Sequence, residues 1–121
     1  MSAKKILVID NEDDPRHMIK HILERIGYFV EAAQTPDEAL SLQSKQDFDL
    51  IITDLIMPDM DGVELCEKIR ELDPKAIVYA YTGYLDLYED KKIKRANFNG
   101  IIPKPVQIEE LEKTIRNALG E

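Results

Sequence analysis

The chain has 121 residues, 44% of them hydrophobic and 33% charged, with a formal net charge of −8 and one cysteine, Cys66. This length and composition predict a single globular domain, residues 1–121, while the acidic balance disfavours direct binding to nucleic acid or to an anionic membrane surface. No apolar run approaches a membrane span or a signal-peptide core, and a lone cysteine excludes an internal disulfide, so we expect a cytoplasmic protein.

Five short apolar runs alternate with helical patterns along the chain. The runs predict strands at 5–9, 28–33, 50–54, 76–81 and 101–102. Apolar residues at helical spacing predict helices from about 13 to 26, 36 to 44, 62 to 72 and 108 to 119, with a more polar and weaker helix between 85 and 97. Alternation of this kind predicts a parallel sheet with right-handed crossovers and helices on both faces.

Capping residues mark several helix ends. Asp13 or Asp14 is the expected N-cap of the first helix, and Gly27 is expected to end it. Thr35 and Glu38 have the spacing of a capping box at the start of the second helix.

Polar residues follow four of the five predicted strands. The carboxyl ends of parallel strands meet at one edge of the sheet, where α/β proteins bind their ligands. The residues that we expect at this edge are Asp10, Asn11, Asp54, Thr82 and Lys104.

This set of side chains suits phosphoryl chemistry. Carboxylate and amide oxygens are the ligands that Mg²⁺ prefers, and Mg²⁺ keeps several waters. A lysine ammonium and a threonine hydroxyl can bind phosphoryl oxygens. An aspartate such as Asp54, placed at the tip of a buried strand, can accept a phosphoryl group covalently.

The sequence resembles the receiver domain of bacterial two-component response regulators, the family that includes chemotaxis-regulator-like proteins. The matching features are residues 6–10, the motif Asp54-Leu55-Ile56-Met57-Pro58-Asp59-Met60-Asp61-Gly62, Thr82 and the pair Lys104-Pro105. They extend over essentially the whole chain. The resemblance implies a flavodoxin-like fold of five βα units with sheet order 2-1-3-4-5.

The same resemblance implies a function. Asp54 would accept a phosphoryl group from a sensor histidine kinase or a histidine phosphotransfer protein in a Mg²⁺-dependent reaction. Asp10, Asn11, Asp54 and the backbone carbonyl of Ile56 would hold the metal, with Glu12 as a further candidate through a water. Thr82 and Lys104 would bind phosphoryl oxygens, and Lys104-Pro105 is expected as a cis peptide bond. Such a protein is a signalling receiver that catalyses only its own phosphorylation and slow autodephosphorylation.

The sequence departs from the family pattern at three positions. Asn11 replaces the second acid of the metal pair, which predicts weaker Mg²⁺ binding because one negative charge is missing. Ile101 stands where the family has an aromatic switch residue, so the usual rotation coupled to Thr82 is not available. Gly83 follows Thr82 where the family often has alanine, which predicts a more mobile loop.

Two further positions tune the lifetime of the acyl phosphate in the family. They carry Ile56 and Tyr84 here. Neither side chain orients an attacking water well, so we expect slow loss of the phosphoryl group.

Three other functions were weighed. A haloacid-dehalogenase-like phosphatase would need a general acid two residues after Asp54, where this chain has Ile56. A flavodoxin would need a hydroxyl- and glycine-rich loop after the first strand, whereas residues 10–14 are acidic. The serious alternative is a degenerate receiver that binds a partner without being phosphorylated. The departures from the family pattern at Asn11 and Ile101 support this alternative.

The resemblance assigns output to the face formed by the fourth helix, fifth strand and fifth helix. That face carries charged residues of both signs, namely Lys91, Lys92, Lys94, Arg95, Glu109, Glu110 and Glu112. The effector protein is unknown, and the state in solution is expected to be a monomer or a phosphorylation-dependent dimer. The chain is either a stand-alone relay protein or a domain of a larger regulator or hybrid kinase.

Overall fold

A computed structural model describes residues 3–58, 60–83, 97–104 and 107–121. The strands are β1 (Lys5–Ile9), β2 (Phe29–Ala33), β3 (Leu50–Asp54), β4 (Val78–Thr82) and β5 (Gly100–Pro103). The helices in these ranges are α1 (Asp13–Ile26), α2 (Pro36–Lys45), α3 (Gly62–Leu72) and a C-terminal helix (Ile108–Ala118). All strands are parallel, in the order β2-β1-β3-β4-β5. The predicted flavodoxin-like fold with sheet order 2-1-3-4-5 is therefore confirmed.

The sheet is buried on both faces because successive side chains of a strand point in opposite directions. In β1, Ile6 and Val8 belong to the core shared with α1 and the C-terminal helix. Leu7 and Ile9 belong to the core shared with α2 and α3. This two-sided burial explains why the central strands are continuous apolar runs in the sequence.

The helix ends mostly follow the predicted signals. Gly27 ends α1 with a φ of 122°, as predicted. Thr35 is the N-cap of α2, and its hydroxyl accepts a hydrogen bond from the Glu38 amide at 3.1 Å. The capping box is half formed, because the Glu38 carboxylate accepts from the Gln34 amide at 3.5 Å. The prediction for the start of α1 was wrong: its N-cap is Glu12, and Asp13 is already helical. The cause is Asp10, whose carboxylate accepts a hydrogen bond from the Glu12 amide at 2.9 Å and so begins the turn one residue early.

Two strands begin later than predicted because neighbouring turns take their first residues. The Tyr28 amide donates to the Leu23 carbonyl at 3.1 Å, so β2 begins at Phe29. The Ala76 amide donates to the Asp73 carbonyl at 3.0 Å, and β4 begins at Val78.

Several predictions concern residues outside the described ranges. They are the helix expected at 85–97, the lifetime position Tyr84, the basic residues Lys91, Lys92, Lys94 and Arg95, and the Lys104-Pro105 peptide bond. Of the helices that the structure describes, none is long and apolar enough to cross a membrane.

Candidate functional site

Three polar side chains are buried at the carboxyl edge of the sheet. Asp10 follows β1 and is 2% exposed, Asp54 ends β3 and is 5% exposed, and Thr82 ends β4 and is fully buried. Burying an ionised carboxylate is costly unless a counter-charge or hydrogen bonds compensate. The two aspartates therefore need a cation at this edge.

Lys104 supplies that cation. Its Nζ lies 3.3 Å from Asp54 Oδ2 and 3.4 Å from Asp10 Oδ2. Its backbone amide donates to the Thr82 carbonyl at 2.9 Å, which ties the end of β5 to the end of β4. One ammonium thus bridges two carboxylates that are 44 residues apart in the sequence.

The charges of this cluster influence one another. Burial raises the pKa of Asp54, the Lys104 ammonium lowers it, and the Asp10 carboxylate raises it again, with a net increase above the usual value. Burial lowers the pKa of Lys104, but the two carboxylates outweigh burial, so its net pKa lies above the usual value. Lys104 therefore stays protonated beside the two acids at neutral pH.

Asp10 is held in place by its own loop and by α1. Its Oδ1 accepts from the Glu12 amide at 2.9 Å, and its backbone carbonyl accepts from Arg16 Nη1 at 2.9 Å. Arg16 is only 8% exposed and also pairs with Asp13 at 2.5 Å. Arg16 was not predicted to belong to the site, although a charged residue three positions before buried Ile19 on the apolar side of α1 was a usable signal.

Asp54 is oriented by the chain that follows it. Its Oδ1 accepts a hydrogen bond from the Ile56 amide at 3.3 Å, while Oδ2 faces Lys104. The loop then enters α3 through Asp61, whose carboxylate caps the helix by accepting from the Glu64 amide at 2.8 Å. One carboxylate oxygen of Asp54 is thus fixed by backbone and the other faces the lysine.

The remaining predicted residues lie around this cluster. Asn11 is half-buried and lines a small groove with Thr35, Pro36, Met57 and Pro58. Glu12 is exposed, and Ile56, whose amide contacts Asp54, is 39% exposed. Ile101 lies in β5 opposite Ala80 and is also 39% exposed.

The oxygen donors of the site suit a hard cation. In the ranges that the structure describes, no three His, Cys, Asp or Glu side chains converge to hold a metal ion. Asp10 and Asp54 contribute two carboxylates, and an amide or backbone oxygen would have to supply the next ligand. Two carboxylates with waters and a neutral oxygen fit Mg²⁺.

One neighbour of Lys104 was not predicted to belong to the site. The ring of Tyr81 lies below the ammonium, with its centroid 4.7 Å from Lys104 Nζ. The sequence analysis did not assign Tyr81 to the site, because nothing local indicates which strand-end residue its ring will contact.

Comparison with known proteins agrees with this geometry. Residues 6–116 match the family described as response regulator receiver domain. The chain is 30% identical over 117 residues to the chemotaxis protein CheY of Halobacterium salinarum, covering 97% of this chain and 98% of that protein.

Solved structures give the same result. A CheY-like receiver domain protein from Methanospirillum hungatei matches with a TM-score of 0.92 and 35% identity, covering 98% of this chain and 95% of that one. The response regulator protein TrrA from Thermotoga maritima, in complex with Mg²⁺ and BeF, matches with a TM-score of 0.86 and 29% identity, covering 96% and 99%. The chain therefore belongs to the response regulator receiver domain family of two-component signalling.

Proposed function

We propose that residues 1–121 form a phosphoacceptor domain, in which Asp54 receives a phosphoryl group from the phosphohistidine of a sensor histidine kinase or histidine phosphotransfer protein. The observation that carries the proposal is the Lys104 ammonium between the carboxylates of Asp10 and Asp54 at the end of β3. A cation in this position can stabilise the negative charge of the Asp54 carboxylate before the transfer and that of the phosphoryl oxygens during it.

The transfer is an in-line displacement at phosphorus. One carboxylate oxygen of Asp54 forms the new O–P bond while the N–P bond of the donor breaks, and the imidazole nitrogen keeps the electron pair of that bond. Lys104 and the Thr82 hydroxyl bind the phosphoryl oxygens. The hydrogen bond from the Lys104 amide to the Thr82 carbonyl joins the ends of β4 and β5, which supports a shared role for the two residues.

The reaction would require Mg²⁺. Asp10, Asn11, Asp54 and the Ile56 carbonyl would hold the ion, with Glu12 acting through a water. When bound, Mg²⁺ neutralises charge that develops on the phosphoryl oxygens. The TrrA structure, which holds Mg²⁺ and BeF in a related fold, supports this assignment by similarity. Asn11 provides a neutral oxygen in place of a carboxylate. We therefore expect this site to bind Mg²⁺ more weakly than a site with an acid at position 11.

Phosphorylation changes the partner-binding surface. The Thr82 and Lys104 loops close on the phosphoryl group. This local change of charge shifts a face that comprises β5, the C-terminal helix and the helix expected from the sequence at 85–97 between two states. Ile101 and Ile108 expose apolar surface on that side of the chain, at 39% and 56%. The effector is a protein, and the receiver works in the cytoplasm as a monomer or a phosphorylation-dependent dimer. It catalyses only its own phosphorylation and slow dephosphorylation.

The test is the intact mass of the protein after incubation with acetyl phosphate, with and without Mg²⁺. We expect one Mg²⁺-dependent phosphoryl adduct on the wild type and on the control Asp47→Asn, an exposed aspartate remote from the site. Asp54→Ala should carry no adduct. An adduct that persists in Asp54→Ala would refute Asp54 as the acceptor.

A second candidate function has specific support in Asn11 and Ile101. A degenerate receiver would bind its partner without phosphorylation and would show no adduct with any donor. A titration with beryllofluoride and Mg²⁺ separates the cases, because a working site that merely lacks its kinase would still bind this phosphoryl mimic.

A further inference from the structure

The Lys104 ammonium has an aromatic neighbour besides its two carboxylates. Its Nζ lies 4.7 Å from the centroid of the Tyr81 ring, within the distance of about 6 Å over which a ring face attracts a cation. Tyr81 is 4% exposed and belongs to the core cluster of α1 and the C-terminal helix. The ring is therefore fixed by packing, and the interaction is largely shielded from water.

Tyr81 lies in β4, the strand between β3, which ends at Asp54, and β5, which leads to Lys104. In the sheet register it pairs with Asp54 on one side and with Ile102 of β5 on the other. Neighbouring residues in register project to the same face of a sheet. The ring thus lies between the strand that carries the acceptor and the strand that leads to Lys104.

The carboxylates alone leave the ammonium loosely held. Its distances to Asp54 Oδ2 and Asp10 Oδ2 are 3.3 and 3.4 Å, longer than the roughly 2.7–2.9 Å of a strong charge-assisted hydrogen bond. A lysine side chain also has four flexible bonds and high rotamer entropy. A packed ring surface limits that freedom, and its attraction does not depend on the charge of Asp54.

Gly83 allows the lysine stem to approach. A Cβ at residue 83 would lie 3.3 Å from Lys104 Cβ, so the stem already packs closely against the backbone that follows β4. Lys104 is therefore confined by the Gly83 backbone at its stem and by the Tyr81 ring at its charged end.

We infer that Tyr81 is a positioning residue for phosphoryl transfer: its ring holds the Lys104 ammonium where Asp54 receives the phosphoryl group. The inference rests on the proposed phosphoacceptor function and adds a residue to that site. It assigns the effect to the ring face and not to the hydroxyl group.

The test compares Tyr81→Phe, which keeps the ring, with Tyr81→Leu, which removes it. With acetyl phosphate and Mg²⁺, we expect the initial phosphorylation rate of Tyr81→Leu to fall by about threefold to thirtyfold, the range that corresponds to a cation–π contact. Tyr81→Phe should remain within about twofold of the wild type. Urea unfolding checks that the variants are folded, and Tyr81→Met replaces Tyr81→Leu if the latter does not fold.

A background that lacks the Lys104 ammonium separates a positioning effect of Tyr81 from damage to the hydrophobic core. In Lys104→Met, adding Tyr81→Leu should change the rate no further, because Tyr81 acts only through the ammonium. A wild-type rate in Tyr81→Leu, a Tyr81→Phe rate as low as that of Tyr81→Leu, or an equal loss in the Lys104→Met background would each overturn the inference.

A second readout distinguishes this inference from the proposed function. The ε-methylene protons of Lys104 should be shifted upfield in NMR spectra by the Tyr81 ring, a shift retained in Tyr81→Phe and lost in Tyr81→Leu. If the wild type accepts no phosphoryl group, the proposed function fails and the role of Tyr81 in phosphoryl transfer fails with it, whatever the shift. If the wild type is phosphorylated but no such shift is present, the positioning role alone is refuted.

Discussion

The backbone amide of Gly62 donates a hydrogen bond to the carbonyl oxygen of Leu55 at 2.8 Å, closing the loop that joins β3 to α3. A Cβ at residue 62 would lie 2.9 Å from Leu55 Cα and would collide with the backbone carbonyl of Asp54. Both obstacles are backbone, which cannot move aside as a flexible side chain could. Glycine is therefore required here by close approach to the backbone of Asp54 and Leu55.

Replacing Gly62 with alanine should lower the free energy of unfolding by about 1–3 kcal/mol, the usual cost of forcing atoms into a filled space. Urea denaturation measures this loss. The matched control is Glu67→Ala, an exposed position of the same helix, where we expect a change within about 0.5 kcal/mol. Equal stability of Gly62→Ala and the wild type would show that the loop accommodates a side chain.

The Asp54-to-Gly62 motif illustrates what the sequence alone could predict. Its apolar run, acids and glycine predicted a strand, a loop and a helix, because periodicity and turn residues act locally. That Gly62 packs against the carbonyl of Asp54 was not predictable, since it depends on how the loop folds back. The contacts of Arg16 with Asp10 and of Tyr81 with Lys104 were missed for the same reason: each joins residues from different elements.

A buried tyrosine ties the end of the chain to the start of β2. The Tyr28 hydroxyl donates to Glu121 Oε1 at 2.5 Å, and Tyr28 is 8% exposed. Burial, together with the hydrogen bond and the charge of Glu121, raises the pKa of Tyr28 to about 12 from 10.0. The folded state therefore holds this proton more tightly than the unfolded state.

Tyr28→Phe should reduce the free energy of unfolding by about 1 kcal/mol at neutral pH, the typical worth of one hydrogen bond. Because the folded pKa is the higher one, the stability that the hydroxyl contributes is complete below pH 10 and is lost as the pH rises from 10 to 12. The stability advantage of the wild type over Tyr28→Phe should thus decrease as the pH rises through this range.

Phenolate absorbance during a pH titration provides the direct check on Tyr28. The difference between wild type and Tyr28→Phe should titrate near pH 12, and Glu121→Gln should shift it to lower pH by removing the negative charge. A difference curve centred at the ordinary tyrosine value would contradict the contact with Glu121.

Arg70 of α3 contacts the two segments that precede β4 and β5, at the amino ends of these strands. Its Nη1 donates to the Ala76 carbonyl, and its Nη2 donates to the Asn97 carbonyl and to Asn99 Oδ1, each at 2.8 Å. The Asn99 carboxamide oxygen also accepts from the Val78 amide at 2.8 Å. The guanidinium therefore fixes the approach to β4 and β5 together.

Arg70→Lys should destabilise the protein by about 2 kcal/mol, because an ammonium cannot reproduce the planar fork that serves these acceptors. Urea unfolding measures the loss, with Arg25→Lys at an exposed site of α1 as the matched control. If both substitutions have the same small effect, the guanidinium contacts do not contribute to stability.

The neutral amide of Asn11 sets the expected strength of Mg²⁺ binding. Asn11→Asp adds a negative charge next to Asp10, so Mg²⁺ affinity should rise by about tenfold, the factor that corresponds to roughly 1.4 kcal/mol. Calorimetric titration with MgCl₂ measures the affinity. Gln34→Glu, which adds the same charge at another exposed residue that lines the groove of Asn11, controls for net charge. An unchanged affinity in Asn11→Asp would mean that residue 11 does not contribute to the metal site.

The exposed Ile56 side chain beside the acceptor should prolong the phosphorylated state. Ile56 offers no hydrogen-bonding group to a water molecule near Asp54, and 39% of its surface is exposed at the site. Ile56→Asn introduces an amide that can orient an attacking water, so the acyl phosphate should hydrolyse roughly tenfold faster, a modest part of what a positioned group contributes to such reactions. The adduct lifetime is read by intact mass after removal of the phosphodonor, with Ile56→Val as the control that keeps the site apolar. Slower hydrolysis in Ile56→Asn than in the wild type would show that residue 56 limits the reaction by some means other than excluding water.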